Sequence, residues 1–170
     1  NLETGAAATA FASGQTDAFA GWVPFWETAL TREGSKELIT SEEYPGAIPD
    51  LLVVSQQLID ERPDQVQALV DTWFDILAFM EENPERAAEI MAERASVSDE
   101  EFEKYTEGTR IFTLEENLEA FSDGGEDMKY MPYAAQQMSD FMVEVGFIPE
   151  APDLDAILDA QFVEAYAEKQ

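Results

Sequence analysis

Trp22-Val23-Pro24-Phe25 is the stretch of this chain best suited to meet a ligand. Trp22 follows a short mixed run that suits a strand and precedes a proline that suits a helix start. In α/β folds the ends of strands are where ligands bind. An aromatic ring there either lines a cleft or packs into the core. The segment Val23 to Trp26, Phe25 included, begins that helix, and its free N–H groups can hold an anionic head group or form an ordinary helix start. Tyr44 and Asp50 flank a break that carries Pro45-Gly46 and Pro49. They are further candidates for ligand contact, or serve to cap a turn and to bond nearby backbone.

Much other chemistry is excluded. The chain has no histidine and no cysteine. Ser-His and Cys-His nucleophilic pairs, thiolate or imidazole metal sites and disulfides are therefore absent. No catalytic residue, metal ligand or cofactor site is expected. Paired acids such as Glu42-Glu43, Glu81-Glu82 and Glu115-Glu116 point apart on a helix and read as solvated faces. Asp123-Gly124-Gly125-Glu126-Asp127 lacks the oxygen spacing of a helix-loop-helix calcium site.

Charge narrows the partners. Thirty-seven acids oppose 9 bases, for a net charge of −28. Such a chain repels phosphate backbones and anionic membrane surfaces, so no nucleic acid is expected. A solvated acidic surface or adaptation to high salt both account for the charge. Apolar residues make up 45% of the 170 and aromatics 11%, enough for a packed core. The N-terminal Asn1-Leu2-Glu3-Thr4 lacks the features of a signal peptide.

The elements that must position these residues alternate at first and then turn helical. Thr4 to Gly14 reads as a small-residue helix. Thr16–Gly21, Lys36–Thr40 and Asp50–Ser55 read as strands, the last an apolar run buried on both faces. Phe25–Arg32 is a helix after Pro24. A long amphipathic helix from Pro63 carries Val66, Leu69, Val70, Trp73, Phe74, Leu77 and Met80 at helical period, with Trp73, Phe74 and Phe79 expected in the core. Pro84 opens the next helix behind Asn83. Ser98 with Glu101, and Thr113 with Glu116, are capping boxes. Pro132–Val145, stopped by Gly146, and Asp159–Ala167 complete the helices. Met128, Met131, Met138 and Met142 are expected to pack. Three short strands do not make a stable sheet, so neighbours from polypeptide preceding Asn1 are expected to complete it.

The order of several segments resembles a known family. They are Ala6-Ala7-Ala8 through Ser13-Gly14-Gln15-Thr16-Asp17-Ala18, Gly21-Trp22-Val23-Pro24, and Ile48-Pro49-Asp50-Leu51-Leu52-Val53-Val54-Ser55. Further matches are Arg62-Pro63-Asp64, Trp73-Phe74, Glu82-Asn83-Pro84-Glu85, Tyr133-Ala134-Ala135, and Ser139-Asp140-Phe141-Met142 to Gly146-Phe147-Ile148. Together they resemble the substrate-binding proteins of ATP-driven (ABC) importers for nitrate, sulfonates and taurine, whose fold the thiamine-pyrimidine synthases share. The resemblance implies a helix-rich α/β chain that is the C-terminal half of a two-lobed, type II periplasmic-binding-protein fold. It places residues 1–44 in the later part of the second lobe, 45–50 at a hinge crossing and 51–170 in the first lobe. It implies a small solute held between lobes, with the Trp22-Val23 position at the site; Phe25, Tyr44 and Asp50 are the further candidate contacts given by the helix start and by the residues that flank the crossing. It also implies a membrane permease and the remaining N-terminal half as partners, and a periplasmic or extracellular location with a lipid anchor as one means of attachment. The family often has Asp or Glu after this Trp, where the present chain has Val23. The alternatives are an enzyme of the pyrimidine-synthase branch, whose histidines are missing here, and a stand-alone helical interaction module.

Overall fold

The computed structural model describes residues 2–170; Asn1 and the side chain of Glu107 lie outside the described set. Among the described residues the chain is helix-rich and contains no strand. The helices are α1 (Thr4–Ala12), α2 (Phe25–Leu30), α3 (Gln56–Glu61), α4 (Pro63–Glu82), α5 (Pro84–Ala95), α6 (Asp99–Glu107), α7 (Leu114–Phe121), α8 (Met131–Glu144) and α9 (Gln161–Ala167), with 3-10 turns at Ser41–Glu43 and Leu154–Ala156.

The chain divides into two compact units. One comprises the described part of Asn1–Ile39 together with Asn83–Ile111, and the other Thr40–Glu82 together with Phe112–Gln170. In the first, α1 packs on α2 and α5 on α6. Arg32 ties its loops together. One guanidinium nitrogen donates to the carbonyls of Phe11 (3.2 Å) and Thr16 (2.8 Å), and the group lies 4.8 Å over the Phe11 ring. Such a placement gains from hydrogen bonds and from cation–π attraction together.

The second unit has a core where α4 and α9 meet. Val66, Val70 and Phe74 come from one face of α4, at i, i+4 and i+8, and Phe162 and Tyr166 come from α9. Val54, Leu58, Ile59, Leu77, Leu114 and Val163 pack around them. Gln67 bridges the two helices, donating to Asp71 and to the Phe162 carbonyl. α3, one residue short of Pro63, extends this packing. Its start is fixed by Ser55, whose hydroxyl accepts the Leu58 N–H at 3.2 Å.

Both capping boxes form. Glu101 N–H donates to Ser98 Oγ, and Glu101 carboxylate accepts from Ser98 N–H; Thr113 and Glu116 repeat the exchange. The hydrogen bond from the Ser98 N–H holds the Glu101 carboxyl below its ordinary range.

Three expectations need correction. Thr16–Gly21, Lys36–Thr40 and Asp50–Ser55 are irregular, because a ladder requires a second strand and none of the described segments supplies one. Leu51, Leu52 and Val53 are consequently exposed rather than buried on two faces, Val53 at 81%. Trp73 and Phe79 are also outside the core, at 47% and 41% exposure, since only the Val66-Val70-Phe74 face of α4 meets α9. Met138, on the outer side of α8, is exposed as well. The helix α3 is an addition to the expected order. No helix among the described residues is long and apolar enough to cross a membrane.

Candidate functional site

The Trp22 turn is built by α1 and α2. Glu3 caps α1: its carboxylate accepts the N–H groups of Gly5 (3.1 Å) and Ala6 (3.3 Å), and its carbonyl accepts that of Ala7. Gly5 has no side chain, which lets Phe25 come close. A Cβ there would stand 3.1 Å from Phe25 Cε1 and 3.3 Å from Glu3 Oε2. The carboxylate and the ring edge therefore lie on the same small patch at the α1 N-terminus.

Trp22 projects from this base. It is 65% exposed, and its ring meets Phe25 in a T-shaped contact with centroids 6.3 Å apart and planes at 79°. Its carbonyl accepts the N–H groups of Phe25 (2.8 Å) and Trp26 (3.3 Å). The Val23–Pro24 peptide is cis. Val23 turns the other way, its Cγ2 packed over Gly108, where a Cβ would clash with it. Phe19 lies over Gly21, beside Trp22 in sequence, in the same fashion. Within this unit the buried Trp26 indole N–H has no acceptor among the described residues.

The α2 helix start does not present free donors. Phe25 and Trp26 N–H groups go to Trp22, and the Glu27 N–H goes to Pro24. The helix has six residues, with Glu27 in its first turn.

Of the five candidate residues, the structure brings Trp22 and Phe25 into contact and places Val23 against Gly108. Tyr44 and Asp50 belong to the other unit. Tyr44 ends the Ser41–Glu43 turn, half exposed, and its carbonyl accepts the Ala47 N–H at 3.0 Å. Asp50 is exposed between Ile48 and Leu51. Between them Gly46 takes φ +87° and passes close over Met128 and Lys129. Glu3, Gly5 and Gly108 were not legible as parts of the site. Glutamate is not a preferred N-cap, and a glycine signals close approach only once its neighbour is known.

The model of the NMT1-like family matches residues 2–96, more than half of the chain. The chain belongs to the NMT1-like family. The region matched by the NMT1-like model includes α1, the Trp22 turn and α2, and continues through Tyr44 and Asp50 to the end of α5. A curated relative from Bacillus subtilis (strain 168), named as an aliphatic sulfonates-binding protein, is 23% identical over 168 residues. The alignment takes in 99% of this chain but 47% of the relative. This NMT1-like chain thus spans about half the length of the curated relative it matches. No solved structure matches it.

Proposed function

We propose that the chain is part of an extracytoplasmic solute-binding protein that holds a small organic or inorganic solute between two α/β lobes and delivers it to the membrane permease of an ABC importer. The observation that carries this reading is the Trp22–Phe25 pair. An indole 65% exposed, braced edge-on by a second ring, is a ready wall for a ligand, and it lies inside the family-matched segment. An exposed aromatic ring offers a large apolar face with a polar handle, which suits contact with a ligand.

The lobe assignment is part of the proposal. It assigns residues 1–44 to the second lobe, 45–50 to the hinge crossing and 51–170 to the first lobe, with the N-terminal half of the protein supplying the rest; the compact unit of 1–39 and 83–111 then draws on segments of both lobes. The exposed apolar run Ile48–Val53 supports this, because its residue types suit a strand and its backbone has no ladder here. The similarity to a sulfonates-binding protein along nearly all of the chain supports a binding protein over an enzyme.

Thermal denaturation of the full-length protein with nitrate, alkanesulfonates, taurine, choline and pyrimidines tests the reading. One solute at a hundredfold excess over its dissociation constant is expected to add about 2.7 kcal/mol of stability. Trp22→Ala is expected to abolish that gain with the fold intact. Silence across the whole panel contradicts the proposal.

A further inference from the structure

Resting on the solute-binding reading, we infer that the Trp22–Phe25 corner takes the head group of a quaternary ammonium solute. Two rings at 79° form two walls of a box, and π faces attract a cation that cannot donate hydrogen bonds. A methylated ammonium needs no acceptor, only such faces and a negative surrounding field.

The surroundings close the corner to anions. Both helix starts beside it are already occupied. The N–H groups of Gly5, Ala6 and Ala7 in α1 are taken by Glu3, and those of Phe25, Trp26 and Glu27 in α2 by the carbonyls of Trp22 and Pro24. Arg32, the cation that orders this part of the unit, spends its Nη1 on the carbonyls of Phe11 and Thr16. An anionic head group at the corner would be opposed by the Glu3 carboxylate on the patch beside Phe25, by an acidic residue, Glu27, in the first turn of α2, and by the net charge of −28.

The same geometry selects against primary amines. An –NH₃⁺ group needs acceptors when it leaves water. The residue following Trp22 is Val23, and its side chain is packed over Gly108 rather than offering an oxygen. The Glu3 oxygens accept the Gly5 and Ala6 N–H groups, so that carboxylate acts on the corner through its charge. A trimethylammonium group loses nothing by this arrangement and gains the attraction of both rings and of the field.

Isothermal titration of the full-length protein tests the inference with four probes: choline, its uncharged isostere with a tert-butyl group in place of trimethylammonium, ethanesulfonate and nitrate. Choline is expected to bind, and the isostere to bind roughly tenfold more weakly or worse. Trp22→Ala is expected to remove choline binding, Trp22→Phe to keep part of it, and Glu3→Gln to weaken it a few-fold, each with an unchanged circular dichroism spectrum. Equal affinity for choline and the isostere overturns the inference, as does unchanged choline affinity in folded Trp22→Ala. Binding of ethanesulfonate or nitrate with choline silent overturns the ligand class and leaves the solute-binding reading standing. Silence of all four overturns the inference, and extension of that silence to the remaining solutes removes the reading beneath it.

Discussion

The rings of Phe74 and Tyr166 stack with centroids 4.9 Å apart and planes 24° from parallel, joining the middle of α4 to the last helix. The Tyr166 hydroxyl donates to Asp75 at 3.3 Å, and Lys169 pairs with Asp71 at 2.7 Å. Removing the ring by Tyr166→Ala is expected to destabilise the second unit by about 3–5 kcal/mol, as for other large aromatics lost from a core. Tyr166→Phe, which keeps the stack and loses one hydrogen bond, should cost about 1 kcal/mol. Urea denaturation of the two variants checks the difference.

The seam between α4 and α9 also predicts a pH response at both ends of the range. Burial, then the charge of Asp75, pushes the Tyr166 phenol above its ordinary value of 10.0. A folded state that holds this proton more tightly is favoured below that value and loses the advantage as pH rises through the folded pKa. The Asp71 carboxyl is lowered from 3.8, first by the hydrogen bond from Lys169 and then by that from Gln67. Its contribution is present above that value and lost as pH falls through the folded pKa. Tyr166→Phe should flatten the alkaline decline, and Asp71→Asn the acid one, in melting temperature measured against pH.

Gly46 is held by two independent constraints. Its φ of +87° disfavours any L side chain, and a Cβ there would stand 2.5 Å from the Met128 carbonyl oxygen. Gly46→Ala is expected to cost about 2 kcal/mol or more. Gly34→Ala, at φ +79° with open space around the position, should cost about half as much. Chemical denaturation of the two variants separates the steric part from the backbone part.

Helices were legible in the sequence because their signals are local. Pro63, Pro84 and the pairs Ser98–Glu101 and Thr113–Glu116 mark starts that depend on residues within a single turn. The expected strands failed, because Asp50–Ser55 has strand-forming residue types but a ladder also needs a pairing partner, which local sequence does not supply. Trp73 and Phe79 show a related limit. Helical period places apolar residues on α4, but which face is covered depends on where α9 docks. At the candidate site, Trp22 stood out by residue type and setting. Its supports did not, since Glu3 and Gly108 reach it only through folded contacts.

Electrostatics give the site a salt signature. With a net charge of −28 on the chain, attraction of a cation from a distance weakens as ions screen it. Association of choline with the full-length protein is expected to slow as sodium chloride rises from low to physiological strength, while an anionic solute would associate faster. Stopped-flow tryptophan fluorescence reads the sign directly.

In the proposed function a solute rests against the Trp22 turn. Hydrogen exchange of the full-length protein, with and without saturating solute, tests it most directly. Protection is expected to rise in peptides covering Phe19 to Glu27 on binding. Measured binding that leaves exchange in those peptides unchanged would contradict it.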